Sequence, residues 1–278
     1  MSTQVSERPR ILDLDTDVRF ERLSPPPAGV ERIAFLAHWS PTAQQSRSVS
    51  RLIAELQRGG YRVVVSSTSE AQGEFAFHPE EAVDLDELTI IRRSNVGYDF
   101  GSWAVAMNAF PDTLGADKVL VLNDSLVGPF APIDHILRDF ETTSADVWGL
   151  VENDQFISHL QSYFRGFRHG VLTEAPLAEF WRDIRVIEDK LELIGAYEFG
   201  FTGVLTANRF TSACFVHHRE VVRNGLNPTA AGWEGLLQLG VPFVKRENFK
   251  LGNKYLTDAH RIPEVVRERY GVDVFDWF

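Results

Sequence analysis

The segment NVGYDFG, residues 95–101, combines side chains and glycines that could bind a nucleotide. Gly97 and Gly101 would let the backbone approach a ligand closely, because glycine has no Cβ. Asn95 and Asp99 can hydrogen-bond a base or a ribose, and a helix that starts near Gly101 would offer unpaired N–H groups to a phosphate. The same residues also suit an ordinary strand-to-helix turn, so both interpretations stay open at this point.

A second candidate is Asn123-Asp124-Ser125, which follows the apolar run VLVL. A carboxylate at the end of a buried strand can hold Mg²⁺ or Mn²⁺ against a diphosphate, since hard cations prefer oxygen ligands and often share them with phosphate. A turn or helix cap made by Asp124 explains the residues equally well. Neither segment matches the GxGxxG fingerprint or a Walker loop.

These segments lie between elements that alternate in type. Apolar runs predict six strands: IAFLAHW, YRVVVSSTS, LTIIRR, KVLVLNDS, ADVWGLV and HLQSYFRGF. Helices are predicted for AQQSRSVSRLIAELQR, GSWAVAMNAF, APLAEFWRDI and EFGFTGVLTANRF. This alternation is typical of an α/β fold with a mostly parallel, Rossmann-type sheet flanked by helices. Ligands bind such sheets at the carboxyl ends of the strands, which predicts a rim of residues 66–70, 94–101 and 123–129.

Composition narrows the class of protein. The formal net charge of −11 makes nucleic-acid binding a poor hypothesis, because phosphate neutralisation needs clustered Lys and Arg. A single cysteine, Cys214, allows no intrachain disulfide and no Cys-based zinc site. We find no secretory leader and no apolar run of about 20 residues. The sequence therefore predicts a cytoplasmic protein without a transmembrane segment, and contact with the inner face of the cell membrane stays open.

Three regions follow from these patterns. Residues 1–29 contain SPPPAG and are expected to be an N-terminal arm and Pro-rich linker, although ILDLDTDVRF could form an edge strand. Residues 30–255 carry the alternating elements, with one half at about 30–130 and another at about 131–255. Residues 256–278 are expected to form a helix and an aromatic tail. That tail could dock on the domain or on a second copy, so a homodimer stays open.

The order of motifs resembles the rhamnan synthesis protein F family, glycosyltransferase-like proteins of polysaccharide assembly. The resemblance covers about residues 30–250 and is carried by NVGYDFGSW, VLNDSLVGP, VWGL, HLQSYFRGF, YEFGFTGVL and WEGLLQLGVPFVKRE. HLQSYF and LNDS…GP are its most specific parts. The family is similar to GT-A glycosyltransferases, in which a nucleotide-binding α/β half joins an acceptor-binding half. The resemblance implies transfer of a sugar, L-rhamnose from dTDP-L-rhamnose, to a growing glycan that could be lipid-linked.

The resemblance also implies roles for individual residues. Asp124 would be the metal ligand for Mg²⁺ or Mn²⁺. The usual acidic motif has two carboxylates and this sequence has one, so the need for metal stays open. The residues expected to bind the nucleotide are His38, Ser67, Asn95, Gly97, Tyr98, Asp99, Gly101 and Asn123.

A β-linked donor and an α-linked product would make the reaction inverting, which needs one carboxylate base near the acceptor hydroxyl. Glu198, at an expected helix start in AYEFGFTGVL, is the first candidate, and Asp154 in VENDQF is the second. Simple helix N-terminal charge is the competing interpretation of Glu198. The residues expected to contact the sugar or acceptor are His159, Gln161, Tyr163 and Lys245, the first three on one face of a predicted strand.

Other polar residues fit structural roles better. His217 and His218 have no metal-ligand partner at a suitable spacing in the sequence and are expected to be structural. Two further functional hypotheses remain beside the enzyme. One is a non-catalytic nucleotide-sugar- or glycan-binding module, favoured by the reduced acidic motif. The other is a nicotinamide oxidoreductase, disfavoured because LAHWSPTAQQ lacks the glycine fingerprint.

Overall fold

A computed structural model describes residues 5, 7–14, 16–223, 225–250 and 258–278 of the chain. Its strands are β1 (Arg19–Arg22), β2 (Arg32–His38), β3 (Arg62–Ser67), β4 (Leu88–Arg92), β5 (Lys118–Asn123), β6 (Leu126–Val127), β7 (Val147–Asn153), β8 (His159–Leu160), β9 (Phe164–Arg168), β10 (Ser212–Val216) and β11 (Val244–Lys245). The main sheet has the order β1-β4-β3-β2-β5-β9-β7-β10, and β8 pairs with β7. Strands β6 and β11 form a separate two-stranded ribbon.

Six strands of the main sheet run in one direction. Strands β4, β3, β2 and β5 are parallel neighbours, and β7 and β10 form a second parallel pair. Strand β9 lies antiparallel between β5 and β7, so β7 runs in the same direction as β5. The central strands are apolar on both faces because both faces are covered. The predicted α/β fold with a mostly parallel sheet flanked by helices is confirmed.

The helices are α1 (Arg47–Arg58), α2 (Tyr98–Ala109), α3 (Asp134–Thr142), α4 (Ala175–Arg182), α5 (Lys190–Leu193), α6 (Gly200–Asn208), α7 (Pro228–Ala231), α8 (Trp233–Gln238) and α9 (Ile262–Tyr270). Helix α1 begins where the Ser46 side chain accepts a hydrogen bond from the Val49 N–H, and it ends at Gly59. Helix α2 packs in the core cluster that includes Trp103 and Trp181, and α1 packs in the cluster on the other face. Within the described ranges, no helix is long and apolar enough to cross a membrane.

The two ends of the chain pack on the α/β core. Strand β1 pairs antiparallel with β4 as an edge strand, and Ile11 is fully buried in the cluster around α2. At the other end, Trp277 packs with α9 in a third cluster, and the Ser48 hydroxyl in α1 donates a 2.6 Å hydrogen bond to the Trp277 carbonyl. The aromatic tail thus docks on its own chain, and the arm expected at residues 1–29 contributes both a strand and core side chains.

Two local predictions about elements were wrong. HLQSYFRGF is not one strand, because β8 and β9 are separated by residues 161–163 and pair with different stretches of β7, and β9 alone also pairs with β5. The helical run that contains Glu198 begins at Lys190 rather than near Glu198. It passes through a π-helical turn, Ile194–Phe199, before continuing as α6. The hypothesis that Glu198 merely supplies N-terminal helix charge therefore fails.

Candidate active site

A large cleft opens at the carboxyl ends of β2, β5 and β7. Its volume is about 1240 Å³, which exceeds the range of about 300–1,000 Å³ typical of small-ligand pockets. Its walls come from the segments after these strands, from the start of α2, from α5 with the π-helical turn, and from the residues after β11. A cleft of this size at the carboxyl edge of a parallel sheet can hold two ligands side by side.

The first turn of α2 meets the end of β5 on one wall of the cleft. Asn123 Nδ2 donates a 2.7 Å hydrogen bond to Asp99 Oδ2, and Asn123 Oδ1 accepts a bond from the Ser125 N–H. Asp124 Oδ2 accepts a 2.9 Å hydrogen bond from the Trp39 N–H, which joins the end of β2 to the same wall. Two carboxylates from separate segments are thereby fixed at the edge of the sheet.

Asp99 is held in an environment that opposes its charge. Burial and the neighbouring negative charge of Asp124 raise the pKa of Asp99 to about 7, against the opposing hydrogen bond from Asn123. Glu198 adds to the rise and Lys190 opposes it. The side chains of Asp99 and Asp124 thus form an electronegative wall that a cation would stabilise.

Basic residues line another part of the cleft. Lys190 Nζ lies 2.9 Å from Glu247 Oε1, and Lys245 Nζ lies 3.5 Å from Glu247 Oε2. Burial raises the pKa of Glu247, but Lys245, Lys190 and Lys250 outweigh this effect and lower it to about 2. Arg246 Nε lies 3.4 Å from the Asp124 backbone oxygen. Cationic groups therefore stand close to the acidic wall, where they could contact an anionic group such as a diphosphate.

Glu198 projects from the π-helical turn into the cleft. Its Oε1 accepts a 2.7 Å hydrogen bond from the Ser162 hydroxyl, and its Oε2 lies 3.7 Å from His159 Nε2. Such π-helical turns occur frequently at functional sites. The turn and the break between β8 and β9 bring this carboxylate and its two partners together.

The tautomer of neutral His159 follows from its second contact. Nδ1 lies 2.8 Å from the Ile157 carbonyl oxygen, which can only accept a hydrogen bond, so Nδ1 carries the proton. In the neutral ring, Nε2 then faces Glu198 without a proton. Burial lowers the pKa of His159, and the charge of Glu198 acts in the opposite direction. Nε2 is therefore free to accept a proton that the Glu198 carboxylate, 3.7 Å away, has taken up.

Gln161 and Tyr163 also line the cleft, but they bond mainly to protein groups. The Thr229 hydroxyl donates a 2.8 Å hydrogen bond to Gln161 Oε1 and lies 3.1 Å from the Tyr163 hydroxyl. His38, buried at the end of β2, pairs through Nδ1 with the Ser67 hydroxyl at 3.0 Å. These contacts hold the floor of the cleft in place.

The structure brings together most residues that the sequence singled out. The predicted residues that line the cleft are His38, Tyr98, Asp99, Asn123, Asp124, His159, Gln161, Tyr163, Glu198 and Lys245. Those outside its lining are Ser67, Asn95, Gly97, Gly101 and Asp154. The sequence pattern missed Trp39, Ser162, Lys190 and Glu247, which reach the cleft through turns that no local pattern marks.

Contacts with protein atoms, rather than with a ligand, explain the two glycines of the segment 95–101. Gly97 has a φ of +80°, and a Cβ there would lie 2.5 Å from Ile11 Cδ1. A Cβ at Gly101 would lie 2.5 Å from the Val96 carbonyl oxygen. These glycines were expected to let the backbone approach a ligand. The structure instead packs them tightly against the N-terminal segment and against the loop itself.

The second base candidate, Asp154, belongs to a separate cluster. Its Oδ2 lies 2.9 Å from His218 Nε2, and its Oδ1 accepts a bond from the Gly225 N–H. Glu152 Oε2 lies 2.8 Å from His217 Nε2 and 3.2 Å from His218 Nδ1. The prediction that the two histidines lack suitable metal-ligand partners was wrong, because Glu152 is distant in sequence but adjacent in the sheet.

Two bacterial proteins are among those similar to this chain. Virulence protein VirA of Vibrio anguillarum is 28% identical over 190 residues, which cover 56% of this chain and 60% of that protein. Uncharacterized protein y4gN of Sinorhizobium fredii is 29% identical over 118 residues, which cover 41% of this chain and 31% of that protein. The chain thus spans less than two thirds of the length of these curated relatives.

One solved structure similar to this chain is that of a glycosyltransferase involved in the glycosylation of the major capsid of PBCV-1. It has a TM-score of 0.38 and 14% identity, over 77% of this chain and 94% of that chain. A score of this size carries no argument about the site. The family model described as rhamnan synthesis protein F matches residues 73–275, well over half of the chain. The resemblance is thereby confirmed, and the protein belongs to the rhamnan synthesis protein F family.

Proposed function

We propose that the protein is a glycosyltransferase that moves a sugar from a nucleotide donor to a glycan acceptor during polysaccharide synthesis. The observation that carries the proposal is the shared cleft of Asp99, Asp124 and Glu198. An acidic wall with cations nearby suits the diphosphate of a donor, and a separate carboxylate suits an acceptor hydroxyl. Membership of the rhamnan synthesis protein F family supports the same conclusion.

The donor side suits a hard divalent cation such as Mg²⁺ or Mn²⁺. Asp99 and Asp124 offer only oxygen ligands. Burial, and after it the charge of Asp124, raises the pKa of Asp99, and a positive ion would relieve the repulsion between the two carboxylates. These two residues would hold the ion, which would neutralise charge on the leaving diphosphate. Lys190, Lys245 and Arg246 are placed to contribute to that neutralisation. We propose a GT-A-like arrangement in which this side binds dTDP.

On the acceptor side, Glu198 would act as the general base. It would take the proton of the acceptor hydroxyl while that oxygen bonds to the anomeric carbon and the bond from that carbon to the diphosphate oxygen breaks. Attack from the side opposite the diphosphate inverts the anomeric centre. Ser162 holds one carboxylate oxygen at 2.7 Å, which fixes the direction of the other. His159 would then accept that proton from Glu198 at Nε2, which carries no proton in the neutral ring.

The donor we propose is dTDP-L-rhamnose, on the strength of the family description. The test is to incubate the purified protein with dTDP-L-rhamnose, UDP-glucose and GDP-mannose in turn, with Mn²⁺, and to measure release of the nucleoside diphosphate with and without a rhamnan oligosaccharide. We expect release from dTDP-L-rhamnose that the oligosaccharide accelerates. Release from another donor alone would correct the identity of the donor sugar. The absence of release from all three donors would contradict the proposal that the protein is an enzyme.

A second candidate is a non-catalytic module that binds a nucleotide sugar or a glycan within a polysaccharide assembly complex. The single carboxylate of Asn123-Asp124-Ser125 favours it, because fewer carboxylates weaken a hard-cation site. Such a module would bind dTDP-L-rhamnose in a titration and would leave it intact in the release assay.

A further inference from the structure

A compact group of histidines and carboxylates lies beside the cleft, at the carboxyl ends of two neighbouring strands. Strands β7 and β10 are parallel, with Val151 opposite Val216. The residues that come next, Glu152 and His217, are therefore adjacent, and His218 follows. One ligand atom from each of Glu152, His217 and His218 lies within 4.8 Å of the other two. None of these three residues belongs to the lining of the cleft.

The distances within this group match those of a metal site. Zn²⁺ binds His nitrogen and carboxylate oxygen at about 2.0–2.2 Å, so tetrahedral ligands stand about 3.3 Å apart. Glu152 Oε2 lies 3.2 Å from His218 Nδ1 and 2.8 Å from His217 Nε2. The second oxygen of Glu152 accepts a hydrogen bond from Ser158 Oγ, which fixes the orientation of the carboxylate. The three ligand atoms therefore lie close enough together for one ion to bind all of them after small side-chain movements.

Asp154 lies beside His218, where a metal-bound histidine would need a supporting carboxylate. A ligating histidine usually donates its other ring N–H to a carboxylate, which fixes the tautomer. His218 is buried, and its Nε2 lies 2.9 Å from Asp154 Oδ2 while its Nδ1 points to Glu152. The Gly225 N–H holds the other oxygen of Asp154. In the metal-free protein, Nδ1 of His218 carries a proton that it donates to Glu152, and Nε2 makes no hydrogen bond to a described residue in spite of its short distance to Asp154. A cation at Nδ1 would displace that proton to Nε2, where the Asp154 carboxylate stands ready to accept it.

His217 has one competing contact. Its Nδ1 accepts a long, 3.3 Å hydrogen bond from the Arg219 N–H, which places the ring proton on Nε2 in the metal-free protein. That proton is donated to Glu152. A cation bound at Nε2 would replace this proton, and the ring would then carry its proton on Nδ1. The weak hydrogen bond from the Arg219 N–H to Nδ1, which caps the turn His218–Glu220, would be lost.

We propose that Glu152, His217 and His218 bind a Zn²⁺-class ion, with Asp154 orienting His218. Two imidazoles and one carboxylate favour Zn²⁺ over the hard cations Mg²⁺ and Ca²⁺, which prefer oxygen ligands alone. The ion cross-links the ends of β7 and β10. Asn153 and Gln155, which follow Glu152 in the chain, line the cleft, so the ion stabilises this part of its wall. This site is independent of the proposed transferase activity.

The test is a titration of the EDTA-treated and dialysed full chain with ZnCl₂ by calorimetry, repeated with CoCl₂ to read the visible absorption of a tetrahedral site. We expect one equivalent of Zn²⁺ and a raised melting temperature. His217→Ala and Glu152→Gln should each weaken Zn²⁺ binding more than 10-fold, and Asp154→Asn about 10-fold. His217 is 42% exposed at its side chain, so its removal leaves the fold intact in EDTA.

The matched control is His169→Ala, which removes another histidine paired with one carboxylate, Asp117, at 3.1 Å. It should bind Zn²⁺ as the parent chain does. Absence of stoichiometric Zn²⁺ binding would overturn the proposal. So would equal affinity in the parent, His217→Ala and Glu152→Gln chains, or loss of the ion in Asp124→Asn, which would place it in the cleft.

Discussion

The Asn123 side-chain amide donates a 2.7 Å hydrogen bond to the Asp99 carboxylate. This bond connects the first turn of α2 to the end of β5, and the two residues are 24 positions apart in the chain. It fixes Asp99 beside Asp124, so a chain with a single acidic residue in its β5 motif presents two carboxylates on one wall. The site therefore depends on the order of strands in the sheet rather than on one local motif.

Removal of the proposed base should separate chemistry from binding. Glu198→Gln keeps the size of the side chain and its ability to accept the Ser162 hydroxyl, but it cannot accept a proton. We expect turnover of the donor to fall by about 10²–10⁴-fold with little change in donor affinity, measured by nucleotide release and by titration. Glu179→Gln, on the exposed face of α4, is the control and should retain full activity. If Asp154→Asn lost activity and Glu198→Gln kept it, the base would be Asp154.

The coupling between His159 and Glu198 can be measured without any substrate. The charge of Glu198 raises the pKa of His159 against the larger effect of burial, so Glu198→Gln should lower that pKa further. Arg165 and Glu152 also act on this ring, the first lowering and the second raising its pKa, and both stay in the variant. An NMR titration of the histidine ring carbons measures the change, with exposed His169 as the internal control. If the pKa of His159 were the same in the parent and Glu198→Gln chains, the two groups would not be coupled.

Asp99 should make the stability of the protein depend on pH. Its pKa is about 7 in the folded chain and 3.8 in the reference state, so the folded state holds the proton more tightly. The contribution of this proton to the free energy of unfolding is complete below pH 3.8 and is lost as the pH rises through 7. The Asp99→Asn side chain cannot ionise, so the variant does not lose stability in this way as the pH rises. Its side-chain oxygen can still accept the hydrogen bond from Asn123.

We therefore expect the Asp99→Asn chain to gain stability relative to the parent as the pH rises, by about 3 kcal/mol between pH 4 and pH 8 at the order-of-magnitude level. Urea unfolding at several pH values measures the difference. Asp112→Asn, at an exposed position, is the control and should show a constant difference. A constant difference for Asp99→Asn as well would show that Asp99 is ionised normally in the folded protein.

Gly97 should be intolerant of a side chain because of Ile11. Gly97→Ala combines a left-handed backbone with a contact of 2.5 Å to Ile11 Cδ1, so we expect a loss of about 2–4 kcal/mol of stability. Gly73 has a φ of +86° with open space beside it, so Gly73→Ala reports the backbone strain alone, about 1 kcal/mol.

Ile11→Val deletes the clashing Cδ1 atom, so its combination with Gly97→Ala should lose less stability than the sum of the single changes. Denaturant unfolding of the four chains measures this coupling. Strict additivity, or equal losses for Gly97→Ala and Gly73→Ala, would remove the packing explanation.

The sequence predicts the α/β sheet well because β2 to β5 and β7 are apolar runs of ordinary strand length. Buried positions such as Trp103, Trp181 and Trp233 also follow from residue type, and all three lie in the core. The break between β8 and β9 is different. HLQSYFRGF alternates like a strand, but Gln161 and Tyr163 bond to Thr229, which is distant in sequence. No local pattern contains that partner.

The same limit applies to the candidate site. Asp99 and Asp124 were found from strand-end positions, because the carboxyl ends of parallel strands share one edge. Lys190, Ser162 and the cluster of Glu152 with His217 were missed, because their proximity depends on a π-helical turn and on the pairing of β7 with β10. Strand β10 itself, SACFV, is half exposed and lacks the strong apolar pattern of the central strands.

The central claim is that the wall of Asp99 and Asp124 binds the diphosphate of a nucleotide sugar. A calorimetric titration with dTDP, with and without Mn²⁺, tests it most directly on the parent chain, on Asp124→Asn and on the control Asp134→Asn, which lies on α3 outside the cleft. We predict one dTDP per chain, with affinity that Mn²⁺ increases and that falls at least 10-fold in Asp124→Asn alone. Absence of dTDP binding to the parent chain, or equal binding by the parent and Asp124→Asn chains, would contradict the account.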